Sequence, residues 1–199
     1  KDGIMKFQTL VNEVITLTNH PELADEIAIA VRAATLSLHQ LDLFSKDKRE
    51  TLVTVKKSCC TSNAIDLSLI PNLRSIHTIA KYCVKTCRIG CEIPKRIHIG
   101  QHIKEFWTTS GQSLEIKTTS CQRDFYLEYY ANPQVIPAED YSSWIADLYP
   151  QAILDLACAK IYRLLRDPTT AQMYERSIGS RAIPGSYAHT IIADQLAGN

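Results

Sequence analysis

Apolar positions recur with helical spacing at both ends of the chain and with strand spacing in the middle. The clearest signal lies in Trp144–Glu175, where Ile153, Leu156, Ala157, Ile161 and Leu164 fall at i, i+3, i+4, i+8 and i+11, one face of a 3.6-residue helix. Pro150 fits the first turn, where its missing N–H costs nothing. Asp167 before Pro168 ends this helix and caps a second one, Pro168 to about Ile178, because its carboxylate accepts the free N–H groups of the new first turn. Burying the four large aliphatics contributes roughly 6–12 kcal/mol gross, at about 1.5–3 kcal/mol each. A surface helix has no need of them, so the pattern predicts an αα-hairpin with its first helix in the core.

At the other end, Phe7, Leu10, Val11, Val14 and Leu17 predict a helix over Lys6–Thr18. Asn19-His20-Pro21 breaks it and opens a second, Pro21 to about Leu41. Its apolar face is Leu23, Ile27, Val31, Ala34, Leu38 and Leu41, and Glu22, Asp25 and Glu26 sit near its positive N-terminal end. This pair cannot cover its own apolar faces and must pack on the later helices.

From Lys48 the period changes to two. Thr51–Val55, Ala64–Leu69 and Ser75–Val84 read as strands, the last followed by a loop around Gly90. Ile97-His98-Ile99 and Lys104–Trp107 are short strand candidates. After the Ser110-Gly111-Gln112 turn, Ser113–Lys117 and Phe125–Tyr130 read as a final strand pair. The expected fold class is therefore α+β: a helical bundle of two helix hairpins, residues 5–42 and 142–178, with a small antiparallel β-sheet region inserted at 48–132. Past Gly179 the chain reads as an extended C-terminal arm, 179–199, with His189–Leu196 as a short helix or strand. Ile183, Tyr187, Ile191, Ile192 and Leu196 make that segment too apolar for a free solvated terminus.

Composition narrows the function. The 45% apolar and 22% charged residues are those of a globular protein, and the net charge of +1 argues against a dedicated nucleic-acid binder. The charge is uneven, however, with 12 Lys and Arg against 5 Asp and Glu between Ser45 and Ser110. On one subunit that is a solvated face. Repeated around a ring, Lys56, Lys57, Lys95 and Arg96 would form a positive rim that tolerates phosphate without reading sequence. No apolar run approaches a membrane span and no secretory signal is visible, so no membrane is expected and the seven cysteines are expected as reduced thiols.

Cys83, Cys87 and Cys91 repeat at four-residue intervals, with Cys59, Cys60, Cys121, His77 and His98 as further donors. Zinc sites supply ligands as tight pairs, and no second pair matches Cys83-x3-Cys87, so buried or idle thiols are the preferred reading and no metal or cofactor is expected. No G-x-S-x-G elbow, partnered histidine or glycine-rich phosphate loop is present, and Lys57–Ser62 has no neighbouring base to activate its thiols, so no enzyme activity is expected. Glu139, Asp140 and Asp147 read as helix-start acids. Phe125, Tyr126, Tyr129 and Tyr130 read as one inward and one outward set across a strand.

Taken together, the N-terminal helix pair ending Leu41-Asp42-Leu43-Phe44, the β region closing with Phe125–Pro133, Ser143-Trp144-Ile145, Tyr149-Pro150 opening a long helix, and Leu165-Arg166-Asp167-Pro168 before a helix with Ala171, Tyr174 and Glu175 resemble the head–tail adaptor (connector) proteins of tailed bacteriophages. The resemblance is best over Phe125–Glu175 and does not extend to the cysteine-rich middle or the tail. It implies a single adaptor domain, 1–178, and a docking arm, 179–199. It implies a non-enzymatic virion protein of the head–tail junction, made in the host cytoplasm, forming a homomeric ring of twelve beneath the portal. Its implied partners are the portal protein, tail or nozzle proteins, and genomic double-stranded DNA passing through without sequence recognition. Arg181, Ile183, Tyr187, Ile191, Ile192 and Leu196 would contact the portal or a neighbouring subunit, the tail ordering only on assembly. The alternatives are another neck or tail-completion protein, and a metal- or nucleic-acid-binding regulatory module using the cysteines and the basic middle.

Overall fold

The computed structural model describes residues 5–55, 62–96, 104–119, 122–135, 141–180 and 182–197. The fold is α+β and divides into two compact units, one formed by 1–46 with 132–199 and the other by 47–131.

The helical unit contains α1 (Phe7–Thr18), α2 (Ala24–His39), α3 (Trp144–Leu148), α4 (Pro150–Leu164), α5 (Pro168–Ile178) and α6 (Tyr187–Leu196). Helix α1 ends on Asn19 in the left-handed conformation (φ 56°), which asparagine tolerates better than most residues; its N–H closes on the Ile15 carbonyl at 2.8 Å. Ser143 Oγ accepts from the Ala146 N–H and caps α3, and Asp167 Oδ1 accepts from the Thr170 N–H and caps α5, as its place before Pro168 predicts. Helices α1 and α2 both pack on α4, and α4 packs on α5. Their shared core is built from Leu10, Val14, Ile27, Val31, Leu38, Ile145, Ile153, Ala157 and Ile161. Two buried hydrogen bonds fasten α2 to the segment before α3: His39 Nε2 with Ser143 Oγ at 2.9 Å, and Thr35 Oγ1 with Tyr141 Oη at 3.0 Å.

The ends of the predicted apolar stripes miss the core. Leu17, Leu41 and Leu164 are exposed, while Thr18 and Cys158 are buried instead. At the start of the second helix, Pro21–Leu23 forms a separate 3-10 turn before α2. Trp144–Leu148 is a helix of its own, because Tyr149 leaves helical geometry (φ −134°, ψ 53°) before Pro150 restarts the chain.

The β unit overturns the expected small sheet. It holds seven strands among the described residues: β1 (Lys48–Thr54), β2 (Ser62–Asp66), β3 (Leu73–Cys83), β4 (Arg88–Glu92), β5 (Phe106–Ser110), β6 (Ser113–Lys117) and β7 (Asp124–Ala131). They form two antiparallel sheets, β1-β7-β3-β4 and β2-β6-β5. The β unit has its own core, with Ile79, Ile93, Trp107, Leu114, Ile116, Phe125 and Leu127 fully or nearly fully buried. The architecture is thus not a bundle with a sheet appended but two units, each closed around its own apolar cluster.

Three local expectations change with it. Ser113–Lys117 and Phe125–Tyr130 are not a pair, since β6 and β7 lie in different sheets. Residues Leu67–Leu69 leave the strand as a 3-10 turn, capped by Asp66 Oδ1 accepting from the Ser68 N–H at 2.9 Å. The loop expected around Gly90 is strand β4, where a Cβ would press on the Lys81 carbonyl oxygen at 3.3 Å. Ile97-His98-Ile99 lies outside the described residues.

One buttress of this unit titrates. Glu105 accepts from Lys81 Nζ at 2.8 Å and from the Thr119 hydroxyl and N–H, and these bonds, Lys81 first, hold its carboxyl at about 2. A depressed folded-state carboxylate contributes stability above its unfolded value near 4.3 and loses it as pH falls toward 2. The expected result is that Glu105→Gln is less stable than the parent at pH 7 and that the gap closes between about pH 4.5 and 2. Urea unfolding across that range measures it.

Candidate functional site

The segment expected to reach a partner instead forms α6. Ser186 Oγ accepts from the His189 N–H and caps the helix, and the same hydroxyl lies 2.8 Å from the Ile183 carbonyl and 3.0 Å from the Ser180 carbonyl. Ser186 also closes on Gly179, which holds φ 60° and whose Cβ, if present, would stand 2.4 Å from the Ser186 Cβ. Glycine is thus required at 179 by both space and backbone conformation. From this cap, α6 inserts Ile191 and Ile192 into the helical unit's own core, and Ala188 is buried as well. Tyr149 donates to Asp194 across to α6, and burial followed by that carboxylate pushes the phenol up to about 12.

The extended arm is therefore corrected to a docked helix, and Ile191 and Ile192 are not available to a partner. Ile183 at 53% and Leu196 at 75% exposure remain on the surface, with Tyr187 half-buried. Leu196 borders a cavity of about 150 Å3 with Leu43, Phe44, Ile192 and Gln195. Arg181 lies outside the described residues.

Behind α6, Asp155 is only 8% exposed. It accepts from Gln151 Nε2 at 2.7 Å and from Ser177 Oγ at 2.6 Å, tying α4 to α5. One turn on, the buried Cys158 thiol is pushed up to about 12 by burial and then by the Asp155 charge. A thiol so held is a packing group and no nucleophile at neutral pH. Asp155→Ala removes the carboxylate to which both Gln151 and Ser177 donate, leaving the Ser177 hydroxyl only the Tyr174 carbonyl at 2.6 Å, and should cost about 1–3 kcal/mol of helical-unit stability in urea unfolding.

In the β unit, two of the four basic candidates are described. Lys95 Nζ sits 5.2 Å from the Trp107 ring centroid, and the Arg96 guanidinium sits 4.7 Å from that of Phe106, with Lys117 Nζ on the same ring at 5.8 Å. Backbone pairing sets this register: the Arg96 N–H donates to the Trp107 carbonyl at 2.8 Å and the Trp107 N–H to Pro94 at 3.0 Å. Aromatic faces steady the cations at about 0.5–1 kcal/mol each while Lys95 stays exposed. Sequence reasoning missed Lys117, whose place opposite Phe106 follows only from the β5–β6 register. Lys95 also borders a cavity of about 250 Å3 with Arg74, Trp107 and Thr109. Lys56 and Lys57 lie outside the described residues.

The remaining chemistry does not converge. Among the described residues no group of three or more His, Cys, Asp or Glu side chains could hold a metal ion. Cys83, Cys87 and Cys91 are exposed free thiols, and His77 stands edge-on to Tyr130 and 3.6 Å from Glu128. Asp147 accepts from the Met5 N–H at 2.8 Å, while Cys59, Cys60, His98, Cys121, Glu139 and Asp140 lie outside the described residues. Strand β7 buries Phe125, Tyr129 and Tyr130 and leaves Tyr126 half-exposed, so its aromatics pack and offer no stacking platform. Among the described residues no helix is long and apolar enough to cross a membrane. Comparison with protein-family models and with curated proteins finds no match for this chain.

Proposed function

We propose that the protein is a structural, non-catalytic virion component of a tailed bacteriophage: a head–tail adaptor that assembles as a ring of twelve between portal and tail. The observation that carries this reading is the helical unit itself. The two ends of the chain build one core, with α1 and α2 against α4, and the Tyr149-Pro150 and Asp167-Pro168 junctions on which the resemblance rests bound α4 and start α5.

On this reading the portal or a neighbouring copy is met by the surface around α6, chiefly the exposed Ile183 and Leu196, with half-buried Tyr187 beside them and Arg181 contributing from outside the described residues. Isolated exposed aliphatics are ordinary on a monomer, but at an interface each buried one contributes about 1.5–3 kcal/mol. Lys95 and Arg96, with Lys56 and Lys57, supply positive charge toward DNA passing through the ring without sequence readout.

The double substitution Ile183→Asp with Leu196→Asp tests the surface. It should weaken binding to the portal protein about tenfold or more in sedimentation with purified portal, with unfolding unchanged because neither side chain is in the core. Undiminished binding would remove α6 from the interface.

A further inference from the structure

The β3–β4 hairpin carries three exposed thiols that neither the core nor the proposed interface uses. The strands register Tyr82 with Ile89 and Cys83 with Arg88, so Val84–Cys87 is the connecting loop. Cys87 is the chain neighbour of Cys83's cross-strand partner. Opposed residues lie about 4.5–5.5 Å apart at Cα and a disulfide spans about 4.4–6.8 Å, so the register sets the two cysteines at neighbouring positions across one short loop, which a bond between them would have to draw closed.

Two further observations mark the pair. Cys87 holds φ 51°, a left-handed position that glycine or asparagine would fill with less strain. Its Sγ lies 3.6 Å from the Val84 carbonyl, turned back across the loop, and it hydrogen-bonds the Tyr82 hydroxyl. On the other side of the loop the Cys83 sulfur is bonded by the Thr86 hydroxyl and N–H, with Lys85 beside it, an arrangement that favours the thiolate. Both cysteines are exposed among the described residues, so oxidant can reach either sulfur.

We propose that Cys83 and Cys87 are a reversible redox pair: a peroxide oxidises Cys83, and Cys87 resolves it to a disulfide that clips the loop. In the first step the Cys83 thiolate attacks one peroxide oxygen; an S–O bond forms, the O–O bond breaks, and the departing oxygen leaves as water after protonation. In the second, Cys87 attacks the Cys83 sulfenic sulfur; the S–S bond forms, the S–O bond breaks, and hydroxide takes up the Cys87 proton as water. One peroxide is thereby reduced to two waters as two thiols are oxidised to one disulfide. A thiol reductant reverses it and is itself oxidised. The proposal does not depend on the adaptor reading.

The test uses the full chain, reduced and then treated with equimolar hydrogen peroxide before thiol blocking and trypsin digestion. Trypsin cuts after Lys81, Lys85 and Arg88, so the pair should appear as Tyr82–Lys85 joined to Thr86–Arg88 through a reducible bond. Blockable thiols should fall from seven to five and return to seven with dithiothreitol. Cys91→Ser should leave the joined peptides intact. Cys87→Ser should abolish them and leave Cys83 trappable as a sulfenic acid by dimedone. Survival of all seven thiols, pairing of Cys83 with Cys91 or any other cysteine, or one zinc ion shielding Cys83 and Cys87 would overturn the proposal.

Discussion

Truncation after Gly185, which deletes α6, is expected to destabilise the helical unit by roughly 3–6 kcal/mol. The figure follows from Ile191 and Ile192, both buried, at about 1.5–3 kcal/mol each. The lost Asp194 acceptor of Tyr149 adds to it. A unit of ordinary stability, about 5–15 kcal/mol, would be left marginal or unfolded. Trp107→Phe leaves Trp144 as the only tryptophan, set edge-on to His39 at 5.5 Å and Phe44 at 5.2 Å in the helical unit, so its fluorescence reports that unit. Urea unfolding in this background separates two accounts of the C-terminus. If the truncated protein unfolds at the parent's midpoint, α6 is an arm that merely rests on the core. Two point variants sharpen the comparison: Ile191→Ala should cost about 2–5 kcal/mol, whereas Leu196→Ala should change stability by less than about 0.5 kcal/mol.

Phe125→Ala should have the largest single-residue effect in the β unit, roughly 3–5 kcal/mol. Phe125 is fully buried on β7, and β7 is an interior strand, paired with β1 on one side and β3 on the other. The cavity therefore opens where neither sheet edge nor solvent can collapse into it. Trp107, nearly fully buried in this unit, is the reporter once Trp144 is replaced by Phe. A loss below about 1 kcal/mol would mean that Phe125 is not seated in that core.

How much of this was legible in the sequence depended on how local each signal is. The helices α1, α4 and α5 were readable because a 3.6-residue period, a proline at the first turn and the Asp167 cap are all written within a few residues. The stripe failed at its ends, where Leu17 and Leu164 rotate off the buried face, and it omitted Thr18 at the end of α1 and Cys158 in the middle of α4, both of which are buried. Strand β4 had no alternation to read, since its residues Arg88–Glu92 are exposed on both faces. The division into two sheets was invisible because β6 and β7, close in sequence, are sorted by partners far away: β6 by β2 and β5, β7 by β1 and β3. That sorting is what turned an expected small sheet into a unit with its own core.

The candidate site divides the same way. The apolar tail was rightly read as needing something to dock on, but whether Ile191 and Ile192 meet another chain or their own core is a tertiary fact that no spacing records. Lys95 and Arg96 were picked out by charge, and the rings of Trp107 and Phe106 beneath them became apparent only with the β5 register. The Cys83–Cys87 spacing was noticed as a weak metal pair. The hairpin register recasts it, since Cys83 ends β3, Cys87 is the last residue of the loop that follows, and no third ligand joins them among the described residues.

The proposed ring is tested most directly by electron microscopy of the purified protein mixed with the portal protein of the phage proposed to encode it. The account predicts particles with a second ring of twelve copies seated on the portal, coaxial with its channel. A protein that remains a monodisperse monomer and leaves the portal bare would contradict it.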